Sequence, residues 1–153
     1  MTSFDVSDKI HFINVDLDIL SKAPLDVLVA AMGSKVSILY VGREGRLYGA
    51  HLEIRDLYQK DADALIRAFV ALLRKLPRPA RRLWNQATTR DFNIGVQSAP
   101  QPRYHELRIQ SRTLEAVAAL GACVVVTTYA PVEIPTVVKR KAARARAGRT
   151  TRA

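Results

Sequence analysis

A lone cysteine, Cys123, excludes an internal disulfide. A fold stapled by bridges is ruled out, and a cytosolic, cytoplasmic setting is the simplest reading. Cys123 opens the apolar run Cys-Val-Val-Val, where a cysteine is expected to act as a small core hydrophobe. Long hydrophobic runs are missing as well. None approaches the ~20 residues that a membrane helix needs. The opening Met-Thr-Ser-Phe-Asp-Val-Ser-Asp-Lys has no basic region followed by an apolar segment, which argues against a signal peptide. His11, His51 and His105, all in strand-like stretches, stand too far apart for a metal-ligand spacing of the HxxxH type. No serine or cysteine has the local setting of a nucleophile elbow. Gly42-Arg43-Glu44-Gly45 joins two strand-like runs instead of opening a helix, so it is a turn and not a phosphate loop. Nothing calls for a cofactor.

Acids are absent from the end of the chain. Residues 139–153 hold seven bases and no acid, within a formal net charge of +10. The other 138 residues carry 17 bases against 14 acids, so the body is only mildly basic. What remains is an ordinary globular composition, 48% apolar and 25% charged in 153 residues. A chain of this length can bury roughly 70% of its unfolded surface in one domain.

The clearest element is His11–Leu20. Ile13, Val15, Leu17 and Ile19 alternate with Asn14, Asp16 and Asp18, the pattern of a strand with one face in the core. Pro24 to Met32 reads as a short helix stopped by Gly33. Val36–Val41 and Leu47–Ile54 read as a β-hairpin, with His51 and Glu53 on its polar side. Asp61 or Asp63 can cap a core helix that reaches Leu76. Pro77-Arg78-Pro79 breaks it, and a second helical piece, about 80–88, carries Leu83 and Trp84. Arg90–Gln97 and Tyr104–Gln110 read as strands, followed by a helix at 111–120 and a last strand, Cys123–Tyr129. The segment from Glu106 to Gly121 faintly echoes the one from Asp16 to Gly33.

This order implies an α+β domain over residues 9–130, with a mainly antiparallel sheet of about six strands and helices on one face. Its first six elements have a ferredoxin-like order. Residues 1–8 are expected to fray, 131–138 to form an extended arm, and 139–153 to be a basic disordered tail. The Ile13–Ile19 pattern, Leu83-Trp84 after a proline break, Phe92-Asn93-Ile94-Gly95 and a late Ala-Ala-Leu-Gly resemble a family of small bacterial proteins of unknown function. That resemblance implies a fold and no activity.

Two surfaces can do work. A polar sheet face would gather Asn14, Asp16, Asp18, His51, Glu53 and Glu106 as a binding face, with Arg46 and Arg108 offsetting the acids. Neighbouring carboxylates there suit a hard cation or an acid–base pair, so a small enzyme or metal-binding protein is one alternative. A basic region around the helix break holds Arg74, Lys75, Arg78, Arg81 and Arg82. With Lys139, Arg140, Lys141, Arg144, Arg146 and Arg149 of the tail, it suits phosphates or an acidic partner, making a nucleic-acid-associated protein the other alternative. The leading expectation is a non-enzymatic binding or interaction protein with a protein partner. Partner identity and oligomeric state are not legible in the residues.

Overall fold

A computed structural model describes residues 9–57 and 60–131. The expected frayed N-terminus, all of the arm except Pro131, and the basic tail with Lys139, Arg140, Lys141, Arg144, Arg146 and Arg149 lie outside the described residues. Among the described residues, no helix is long and apolar enough to cross a membrane.

The chain is α+β. Its strands are β1 (His11–Ser21), β2 (Val36–Glu44), β3 (Leu47–Ile54), β4 (Thr89–Gln97) and β5 (Cys123–Tyr129). Its α-helices are α1 (Asp26–Met32), α2 (Ala62–Arg74), α3 (Arg78–Gln86) and α4 (Ser111–Ala119). The sheet has the order β2-β3-β1-β4-β5. The hairpin strand β3 lies between β1 and β2, the split arrangement expected from the element order. Every pair is antiparallel except β4–β5, which is parallel.

The sheet is therefore mixed and five-stranded, not antiparallel and six-stranded. The sixth strand, expected at Tyr104–Gln110, has no regular structure. Its alternation is real, since Leu107 and Ile109 pack on the core while Glu106 and Arg108 stay exposed. The place beside β4 belongs to β5, which reaches it through α4. His105 accordingly lies outside any strand.

One apolar core forms where Val15, Leu17 and Ile19 of β1 meet Phe69 of α2, Trp84 of α3 and Phe92 of β4. Ile13 departs from the expected pattern and is 47% exposed. A β-bulge between Phe12 and Asn14 is the cause, because it turns Phe12 toward the core in its place. Cys123 is also exposed instead of buried, since it starts an edge strand. Trp84 is an anchor, 1% exposed, and its indole N–H donates to Leu120 O at 3.0 Å.

Side chains close both ends of α2 and the C-terminal end of α3. Asp61 caps α2 through a 2.8 Å hydrogen bond from Ala64 N–H. Arg81 donates to Leu73 O and Arg74 O at the other end of α2, and Arg90 donates to Trp84 O at the end of α3. The faint echo is partly structural. Both α1 and α4 run into a glycine of positive φ, Gly33 and Gly121, and each then feeds an edge strand. The echo fails before α4, where no strand corresponds to β1.

Asp63 does not cap its own helix. Its buried carboxylate accepts from Gln110 N–H at 2.9 Å, at the start of α4, and from Arg67 Nε at 3.0 Å. Burial pushes its pKa up, but Gln110 N–H, the Thr113 hydroxyl and Arg67 outweigh burial and hold it below the ordinary value. The Thr113 hydroxyl is buried without forming a geometrically complete hydrogen bond, so the Gln110 and Arg67 contacts are the firm ones. Asp63→Ala is expected to cost about 2–3 kcal/mol, because it removes a charged acceptor from the partly buried Gln110 N–H and from Arg67. Asp61→Ala, the loss of an exposed cap, should cost about 1 kcal/mol. Urea unfolding followed by Trp84 fluorescence checks both, and equal costs would contradict the assignment of Asp63.

Candidate functional site: the open face of the sheet

Strand alternation decides what the face left uncovered by the described residues carries. Residues paired with core positions point to the helices, and the residues between them point away. The outward set includes Glu44 on β2, His51 and Glu53 on β3, Asn14, Asp16 and Asp18 on β1, Asp91 and Asn93 on β4, and Thr127 on β5. That is five carboxylates, and no outward strand position is Lys or Arg. Two pairs of acids stand directly opposite each other in the register, Asp16 with Glu53 and Asp18 with Asp91. Like charges so placed destabilise a sheet.

Part of this charge is organised by His51. Its Nδ1 lies 2.7 Å from Asp18 Oδ1, and its Nε2 meets the Glu44 carboxylate. Both partners accept, so the protonated ring fills both contacts. Burial lowers the His51 pKa, but Glu44 and Asp18 outweigh it and raise the value above 6.5. Gly49 makes room for this arrangement, since a Cβ there would fall 2.8 Å from the Glu44 carboxyl carbon. The network continues outward. Asn93 Nδ2 donates to Asp18 Oδ2 at 3.2 Å, and Thr127 Oγ1 donates to Asn93 Oδ1 at 2.7 Å.

Asp16 sits beside this network and lacks its compensation. Burial first, then the charges of Glu53 and Asp18, push its pKa up to about 6, with a hydrogen bond to Glu53 favouring the protonated form and His51 pulling the other way. Its Oδ1 is shielded from solvent with no hydrogen-bond partner. Asp91 is raised in the same way, by burial and then by Asp18.

Of the residues expected on this face, Asp16, Asp18, His51 and Glu53 come together, and Asn14 lies further along β1 opposite Gly95. Glu106 does not join them. It lies in the irregular segment and pairs with Arg108 at 3.2 Å, so Arg108 offsets Glu106 alone. Glu44, Asp91, Asn93 and Thr127 complete the site and were not singled out in the sequence. Asp91 and Asn93 repeat the alternation of Asp16 and Asp18, a signal that was available. In the basic region, Arg81 is committed to closing α2. Arg74, Lys75, Arg78 and Arg82 are exposed on the helix side.

Among the described residues, no group of three or more His, Cys, Asp or Glu side chains is placed to hold a metal ion. The five acids are spread over four adjacent strands, and neither nitrogen of His51 is open to a substrate proton. The carboxylates therefore lie along the face and not around one point. Comparison with family models, with curated proteins and with solved structures gives no match, so its reading rests on this geometry.

The raised groups fix the pH dependence. A group that holds its proton more tightly when folded stabilises the fold at pH below its unfolded value and loses that contribution as pH rises through its folded value. For Asp16 this window runs from 3.8 to about 6, and His51 and Asp91 act with the same sign. Asp63 acts oppositely, contributing above 3.8 and losing its effect as pH falls through its lowered pKa. Stability should therefore decline from about pH 4 to 7. A shift of this size is worth about 3 kcal/mol in full, and exposure of the group to solvent cuts it to about 1–2 kcal/mol. Asp16→Asn should flatten the decline by that amount in urea titrations at each pH. An unchanged slope would contradict the placement of Asp16.

Proposed function

We propose that the protein is a non-enzymatic binding protein whose open sheet face receives a Lys- and Arg-rich polypeptide segment. The observation that carries this reading is the two pairs of directly opposed carboxylates, Asp16–Glu53 and Asp18–Asp91, on a face without Lys or Arg at its strand positions. Such pairs cost stability. Departures from local consistency of this kind are characteristic of functional surfaces. A cationic segment relieves the repulsion and gains from every acid it passes. Spacing across several strands favours an extended polycation over a single metal ion, which needs its ligands gathered within one coordination shell. Asn93 and Thr127 add neutral hydrogen-bonding groups along the same path.

Binding should be salt-sensitive, since the charges are partly solvated. Calorimetric titration of the full-length protein with a ten-residue Lys/Arg peptide tests it. The Asp16→Asn/Asp91→Asn variant should bind at least fivefold more weakly, and raising salt from 0.05 to 0.5 M should weaken the wild type by a similar or larger factor. Equal affinity of wild type and variant would overturn the proposal.

A further inference from the structure

The helix side carries the opposite charge. Over residues 62–86 and 111–119 there are seven bases and two acids, and one of those acids, Asp63, is buried against Arg67. Arg67 and Arg74 of α2 and Arg112 of α4 line an open groove of about 410 Å³. Its floor is Val70, Ala71 and Ala116. Arg67 uses its Nε on Asp63, which leaves the terminal nitrogens of its guanidinium exposed. Arg74 and Arg112 have no acidic partner among the described residues.

A second groove, of about 380 Å³, is lined by Arg78, Arg81, Arg82, Asn85 and Gln86 of α3. The two grooves meet at the end of α2. Arg74 lines the first, and its carbonyl accepts from Arg81, which lines the second, at 2.7 Å. Arg112, Arg67 and Arg74 thus line one groove, Arg78 and Arg82 line the other, and the Arg81–Arg74 hydrogen bond links the two sets.

We infer that this track across α2, α3 and α4 binds the phosphate backbone of a nucleic acid. Guanidinium forks match phosphate oxygens in pairs. A run of them spanning two grooves suits a repeating anion better than one small phosphate ester. An acidic protein surface would be expected to meet apolar or aromatic anchors as well. Neither α2 nor α3 exposes a large hydrophobic residue, α4 exposes a single one, Leu114, and Trp84, the aromatic of α3, is buried. The helices of the track expose no aromatic ring to stack on bases, so recognition there is of the backbone and blind to sequence. The acidic sheet face repels the same polyanion, so binding is confined to the helix side. This inference stands apart from the peptide-binding reading, because the two surfaces share no residue.

Fluorescence anisotropy of a labelled 20-base-pair DNA duplex with the full-length protein tests it. The basic tail is present in every sample, so any difference belongs to the folded body. Arg74→Glu/Arg112→Glu should weaken binding at least tenfold at 0.1 M salt and lower the slope of log K against log salt by about two. Arg74→Gln/Arg112→Gln should give a smaller loss in the same direction, with Trp84 fluorescence confirming that both variants are folded. Affinities within twofold of wild type for both variants, or no binding by the wild type, would overturn the inference. So would displacement of the duplex by a polyglutamate peptide at equal charge concentration, which would assign the track to an acidic protein.

Discussion

The described helices all pack on one side of the sheet, and that one-sided burial governs everything else. Val15, Leu17, Ile19, Leu52, Phe92 and Ile94 go into the core with α1, α2 and α3. The residues between them are then forced to the opposite face, which must be compatible with water. Burial thus sorts the charges. The acids of β1, β3 and β4 gather on the wet side of the sheet, and the arginines of α2, α3 and α4 gather on the wet side of the helix layer. The body is mildly basic as a sum, with 17 bases against 14 acids outside residues 139–153, yet its two surfaces carry opposite charge.

The two sides manage buried or crowded carboxylates differently. Asp63 is taken out of water and fully answered, by a backbone N–H of α4 and by Arg67, so its ionised form is favoured and it joins two helices. Asp16 is partly desolvated and faces Glu53, so its ionised form is disfavoured. Asp18 lies between these cases, with His51 and Asn93 both supplying donors. A carboxylate answered in this way builds structure. One left in repulsion costs stability.

Much of the fold was legible because its periodicities are strong. The alternation in β1, the hairpin joined at Gly45 and Arg46, the stripe of α2 and the proline break all lead to the elements observed. The misses share a physical cause, which is that pairing is not local. Ile13 follows the alternation perfectly, but a bulge against β4 turns it out. Leu107 and Ile109 alternate like a strand and bury like one, yet no strand edge is left for them beside β4. Cys123 sits in an apolar run whose strand is an edge. The site was legible in outline, through Asp16, Asp18, His51 and Glu53. The contact of Glu44 with His51 was not, since it depends on the hairpin register and on the space left by Gly49.

The central claim is that opposite faces of one small domain take partners of opposite charge. Backbone amide chemical shifts, followed in two separate titrations of the full-length protein, test it most directly. A Lys/Arg peptide should move the signals of residues around Asp16, Asp18, Glu53 and Asp91, and a DNA duplex should move those around Arg67, Arg74 and Arg112. Perturbation of the same residues by both ligands, or of neither set, would contradict the account.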